Sequence, residues 1–152
     1  MSGTPSAKRC KVFLSYCHDD DQQVTRLHEA LENENMDLWW DKEILPGQDW
    51  KQEIRRAMKD CDAVVLCLSS KSMQRKKSGI YPEVLDAINS YREFRSGEIY
   101  LIPVRFDECK VPDIEIDGSR TLDRLQYVDL FPDNDWDQNF QRLVKSIRKA
   151  AE

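Results

Sequence analysis

Glycine is scarce in this 152-residue chain, with five residues (Gly3, Gly47, Gly79, Gly97 and Gly118), none inside an expected helix or strand. The loop after the first apolar segment, SYCHDDD (Ser15 to Asp21), has no glycine at all. A phosphate-cradling loop of the G-x-G-x-x-G or Walker A kind needs glycines at that place, so both are excluded. Long apolar runs are also missing: the longest, AVVLCL (Ala63 to Leu68), is far too short to cross a bilayer. The leader, MSGTPSAKRC (residues 1–10), has no apolar stretch of the signal-peptide type and is expected to be flexible, ahead of one domain over residues 11–150. These features predict a cytoplasmic protein with no membrane partner. Five cysteines (Cys10, Cys17, Cys61, Cys67 and Cys109) form no C-x-x-C pair and there are only two histidines, so reduced thiols and no metal site are expected.

Charge of one sign is not concentrated either. Lysine and arginine number 23 against 28 acids, a formal net charge of −5, and no basic stripe of the nucleic-acid-binding type runs through the chain. No nucleic acid is expected to bind directly. The local exception is KSMQRKK, with Lys71, Arg75, Lys76 and Lys77. It reads either as a solvated loop or as a means of recruiting an anionic ligand.

What the chain does contain is alternation. KVFLSY (Lys11 to Tyr16), MDLWW (Met36 to Trp40), AVVLCLS (Ala63 to Ser69), IYLIPV (Ile99 to Val104) and LQYVDL (Leu125 to Leu130) are short apolar runs bounded by polar residues, as buried strands are. Between and after them, apolar residues recur at steps of three and four: Val24, Leu27 and Leu31; Trp50, Ile54, Ala57 and Met58; Val84, Leu85, Ile88 and Tyr91; and Phe140, Leu143, Val144 and Ile147. Asp19, Asp49 and Asp135 each stand three residues before a glutamine, close to a capping box. Strands alternating with helices imply right-handed crossovers, and therefore an α/β fold. The expected architecture is a flavodoxin-like five-stranded parallel sheet with helices on both faces. Ligands of such sheets bind beyond the carboxyl ends of the strands.

The loops at those ends carry the candidate chemistry. A phosphate-receiver domain shares this topology, but it requires an aspartate ending strand three and a lysine after strand five. The chain has CLSS and DLFPD there. Asp19 and Asp20 are then most simply helix caps. After strand two comes WWDKEILPGQDW (Trp39 to Trp50), where Pro46 and Gly47 suit the centre of a type II turn. Trp39 or Trp40 is expected to pack in the core, since alternate strand residues face opposite ways. Ile44 and Leu45 at the loop tip either form an interaction surface or fold back onto the domain. His18 is assigned to a surface loop and His28 to a helix flank.

VFLSYCHDDD, WWDKEILPGQDWKQEIRRAMKDCDAVVLCLS, YPEVLDAI, IYLIPVRFDECKVP and YVDLF, in this order and spacing, resemble a Toll/interleukin-1 receptor (TIR) domain of the prokaryotic type. The likeness runs from about Lys11 to Ala150. It implies the TIR fold and an NAD+ glycohydrolase that cleaves the bond between nicotinamide and ribose, NAD+ being substrate with no separate cofactor. The products would be nicotinamide and linear or cyclic ADP-ribose, in defence or cell-death signalling. The catalytic glutamate of such enzymes maps to Glu83, with Tyr16, Asp41, Glu43, Trp50, Ser69 and Tyr81 as substrate contacts. Ile44, Leu45, Pro46 and Gly47 would form the self-association loop, with TIR–TIR contacts, filaments among them, and a fused or partner sensor domain. The aromatic that family glycohydrolases carry four residues before the glutamate is Gly79 here. That departure keeps open a second function, a non-catalytic TIR adaptor or scaffold.

Glu83 also has a local explanation. Pro82 suits the first position of a helix, and an acid in the next position interacts with the helix N-terminus by roughly 0.3 to 1 kcal/mol. One carboxylate is nevertheless enough for the chemistry. Nicotinamide leaves a pyridinium as a neutral base and needs no proton, so the protein has only to stabilise an oxocarbenium-like ribose.

Overall fold

The structure, a computed structural model, describes residues 9–73, 101–117 and 120–152. Its centre is one sheet of β1 (Lys11–Ser15), β2 (Asp37–Trp39), β3 (Ala63–Leu68), β4 (Leu101–Arg105) and β7 (Val128–Asp129). The order is β2-β1-β3-β4-β7 and every pairing is parallel. This is the expected flavodoxin-like arrangement. Four α-helices are described: α1 (Asp21–Asn33), α2 (Trp50–Asp60), the single turn α3 (Ser70–Met73) and α4 (Asp133–Ala150). A short antiparallel hairpin, β5 (Glu115–Asp117) and β6 (Arg120–Thr121), stands apart from the sheet.

Period-two alternation explains why the central strands are apolar throughout. Val12, Leu14, Val65 and Cys67 point to one face, where they meet Val24, Leu27 and Leu31 of α1 and Phe140, Leu143 and Ile147 of α4. Phe13, Val64, Leu66 and Leu68 point to the other, against Ile54 and Met58 of α2 and against Val111 and Leu122. Each fully buried leucine of this kind stabilises the fold by about 1.5–3 kcal/mol relative to exposure. With α1 on one face and α2 on the other, the chain leaves β1 in one direction to reach β2 and returns on the opposite face to β3. The carboxyl end of β1 is therefore the point where the winding reverses.

Helix ends follow local chemistry where the residues permit it. α1 stops in a Schellman motif: the Met36 amide donates to the Leu31 carbonyl, the Asn35 amide to Glu32, and Asn35 adopts φ 64°. Asp49 caps α2, its carboxylate accepting from the Lys51 and Gln52 amides. The Leu45–Gln48 turn closes through the Gln48 amide to the Leu45 carbonyl, with Gly47 at φ 93° as a type II turn demands.

Other expectations are corrected. Asp19 is not a cap; it lies in a one-turn 3-10 helix (His18–Asp20), and its own amide donates to the Cys17 sulfur. Asp20 occupies the N-cap position of α1 without capping it, because its side chain is turned inward. Asp135 sits inside the first turn of α4, which begins after Pro132. Trp50 does not join the buried face of α2: it is 43% exposed, whereas Ile54 and Met58 are buried. β7 keeps only two residues of LQYVDL, Val128 and Asp129, the two that pair with Val104 and Arg105 of β4. The hairpin was not anticipated. Leader residues 1–8, Arg75, Lys76, Lys77, the helical positions Val84, Leu85, Ile88 and Tyr91, and strand residues Ile99 and Tyr100 lie outside the described residues.

Candidate functional site

A cavity of about 280 Å³ lies beyond β1 and β2 on the α2 face of the sheet. Three segments build it. The end of β1 supplies Phe13 and Tyr16, followed by His18; the end of β2 supplies Trp39, followed by Asp41 in a one-turn 3-10 helix (Asp41–Glu43); and Ile44, Trp50 and Ile54 come from the long loop and α2. The floor is apolar because Phe13 and Trp39, side by side on paired strands, stack at 4.9 Å between ring centres. The rim is polar and centres on Asp41.

Both oxygens of Asp41 are occupied. The Tyr16 hydroxyl donates to one at 2.7 Å, and His18 Nε2 meets the other at 2.6 Å. Tyr16 is buried, and burial followed by the neighbouring carboxylate pushes its phenol well above its ordinary range, so it serves as a fixed neutral donor. His18 and Asp41 remain open to solvent, with side-chain exposures of 68% and 34%. Lys42, next in the chain, turns away from this cluster: its ammonium lies 2.6 Å from Asp21 and 4.5 Å above the Trp40 ring. Trp40 packs in turn against His28, with ring centres 4.0 Å apart.

A second polar cluster lies at the end of β3, and it is sealed. Ser69 donates its hydroxyl to Asp20 at 2.7 Å and accepts from the Ser72 amide, while the Ser69 amide donates to the Ser72 hydroxyl. Ser69, Ser72 and Asp20 are all 2% exposed or less. Desolvation raises the Asp20 carboxyl above its ordinary value, with the Ser69 hydrogen bond opposing. Asp107 completes the turn by accepting from the Ser70 amide and hydroxyl. These bonds satisfy the first amides of α3 and fix the exit from β3.

Of the residues expected at the site, Tyr16, Asp41 and Trp50 line the cavity together. Ile44 lines it too and packs on the α2-side core, while Leu45 is 64% exposed, so the loop-tip pair is split between the two alternatives. Pro46 and Gly47 form the exposed turn beside Leu45. Glu43 is exposed and away from the cavity lining, and Ser69 is enclosed with its hydroxyl committed to Asp20. Glu83, Tyr81 and Gly79 lie outside the described residues. His18 was missed as a cavity residue. Its signal was position, two residues beyond Tyr16 in the loop that the topology marks. No group of three or more potential metal ligands occurs among the described residues, and no helix among them is long and apolar enough to cross a membrane.

No curated protein matches the chain. Among solved structures, the TIR domain of the Toll-related receptor TRR-2 from Hydra magnipapillata superposes with a TM-score of 0.67 at 17% identity, over 90% of this chain and 97% of that one. The TIR domains of the activated Roq1 resistosome, which directly recognises the pathogen effector XopQ, give 0.66 at 18% identity over 91% and 99%. The CMP N-glycosidase BcmB of Clostridium botulinum gives 0.54 at 12% identity over 90% and 98%. These likenesses establish the shared fold. A family profile described as TIR domain matches residues 12–144, from the start of the sheet to the middle of α4, and the chain belongs to the TIR domain family.

Proposed function

We propose that this TIR domain is an NAD+ glycohydrolase that acts in defence or cell-death signalling and is activated by self-association. The observation that carries the reading is the cavity itself, where an oriented carboxylate (Asp41) and an exposed indole (Trp50) line a mostly apolar pocket at the reversal point of the sheet. Support also comes from BcmB, in which the same fold accompanies cleavage of a nucleotide N-glycosidic bond. In the reaction, the bond between ribose C1′ and the ring nitrogen breaks. Its electron pair leaves with nicotinamide, and water oxygen bonds to C1′ and releases a proton to solvent. Glu83 is the carboxylate assigned to stabilise the cationic ribose. Tyr16, Asp41 and Trp50 bind the substrate, with Tyr81 from the same segment as Glu83.

Leu45, with Pro46 and Gly47, is assigned to contact a second copy, an exposed aliphatic side chain at the tip of a tight turn being suited to that. The alternative, a non-catalytic adaptor that signals through TIR–TIR association, is favoured by Gly79, which leaves no aromatic four residues before Glu83. One assay separates the two. Concentrated protein is incubated with NAD+ and free nicotinamide is measured, alongside Glu83→Gln. The hydrolase reading expects release that the variant loses at least about a hundredfold. No release at any protein concentration, or equal release by the variant, supports the adaptor.

A further inference from the structure

We propose that the cavity selects a positively charged aromatic ring, with Asp41 reading the charge and Trp50 the ring. The inference rests on the hydrolase reading, in which the ring is the pyridinium of NAD+, and it adds which residues discriminate that cation from a neutral ring.

Trp40 has the Lys42 ammonium 4.5 Å above it, and Trp136 has the Arg26 guanidinium at 4.1 Å. The exposed Tyr127 carries Arg105 at 4.5 Å in the same manner. Trp39 is stacked on Phe13. Trp50 differs from all of these: among the described residues no cation or ring lies on it, it is 43% exposed, and it borders the cavity. An exposed indole beside an apolar pocket attracts a flat cation more strongly than a flat neutral ring.

Charge in the cavity agrees. Among the described residues that line it, no lysine or arginine occurs, and Asp41 is the one carboxylate. The nearest basic residue in the chain, Lys42, is engaged by Asp21 and Trp40. Tyr16 is a neutral donor, so its hydrogen bond orients Asp41 without cancelling the charge. A pocket whose described lining is apolar walls with one carboxylate has the composition of a site for an organic cation.

The test uses the full chain at mildly alkaline pH and two small probes, nicotinamide and its N-methylpyridinium analogue, which carries a methyl group where NAD+ has ribose and cannot be hydrolysed there. Binding is followed by NMR titration of the tryptophan indole N–H signals. The wild-type protein is expected to bind the pyridinium about tenfold more tightly than the neutral ring. Asp41→Asn, which retains an acceptor for Tyr16, should bring the two affinities within about twofold of each other, and Trp50→Leu should weaken both. Equal affinities in the wild type, no binding of either probe, or a preference retained in Asp41→Asn overturns the proposal; the first two outcomes need no variant. Nicotinamide release from NAD+ is measured on the same sample. Release without a cation preference removes this inference and leaves the hydrolase reading standing. A cation preference without release keeps the site assignment and removes the hydrolase reading.

Discussion

Two aspartates at the carboxyl end of the sheet, Asp41 and Asp20, have the same chemistry and opposite fates. Each accepts a hydroxyl hydrogen bond of 2.7 Å, from Tyr16 and Ser69 respectively. Asp41 stays about one-third exposed beside a cavity, whereas Asp20 is enclosed with two serines and its carboxyl is raised by the loss of solvent. The hydrogen bond alone therefore does not mark a functional acid. Access separates the two: the sealed cluster is closed to solvent and holds the chain where it leaves β3, while the open one presents a carboxylate at the cavity rim.

Asp20→Ala leaves the buried Ser69 hydroxyl without its acceptor and should destabilise the protein by about 2 kcal/mol, read as a lower urea midpoint at unchanged slope. Removing the matching contact at the open site is expected to do less. Tyr16→Phe should cost about 1 kcal/mol by the same measurement, since Asp41 is solvated once its partner is gone. A larger loss for Tyr16→Phe than for Asp20→Ala would reverse the assignment of the two clusters.

The pH dependence sharpens the contrast. Asp20 has a folded-state pKa raised above its unfolded value, so the folded protein binds the extra proton more readily. Its contribution to stability is fully present below the ordinary carboxylate value of 3.8 and is lost as pH rises through the raised value. Denaturation of the wild type and of Asp20→Asn across the acid range should accordingly show the wild type losing ground to the variant as pH increases. A difference that stays flat refutes the burial argument. The smallest stability effect belongs to Leu45→Asp, within about 0.5 kcal/mol of the wild type because the side chain is already in water. Light scattering of the same variant should show weaker self-association, and unchanged association would take the loop tip out of the interface.

Local patterns explain much of the fold. The apolar runs at Lys11, Met36 and Ala63 became strands within about a residue of their expected limits, and for the central β1 and β3 the reason is that a parallel strand covered on both faces is apolar nearly throughout. Asp49 and the Pro46–Gly47 turn behaved as their residue types require, and both act over a span of four residues. Failures occurred where a distant partner competed. Asp20 gave up capping α1 for Ser69, 49 positions away, and Trp50 kept the helical spacing of a buried residue but faces the cavity mouth. The resemblance named Tyr16 and the residues after it, with Asp41, Glu43, Trp50, Ser69 and Tyr81; of these Tyr16, Asp41 and Trp50 line the cavity, and His18, assigned to a surface loop, reaches it through Asp41, 23 positions along the chain.

By itself the sequence determined the class of fold, the order of strands and helices, the caps and turns that rest on contiguous residues, and membership of the TIR family. The fold class, caps and turns follow from periodicity and backbone preference, which act over a few residues, whereas the family shows in the order and spacing of five motifs. Only the tertiary structure decided which of two aspartates is sealed and which is open, that Ile44 is drawn inward while Leu45 stays in water, and that Trp50 is exposed beside the cavity. Burial and charge pairing depend on residues brought together from β1, β2, β3 and α2, and solvent access at such a point is a property of the packed assembly of those elements.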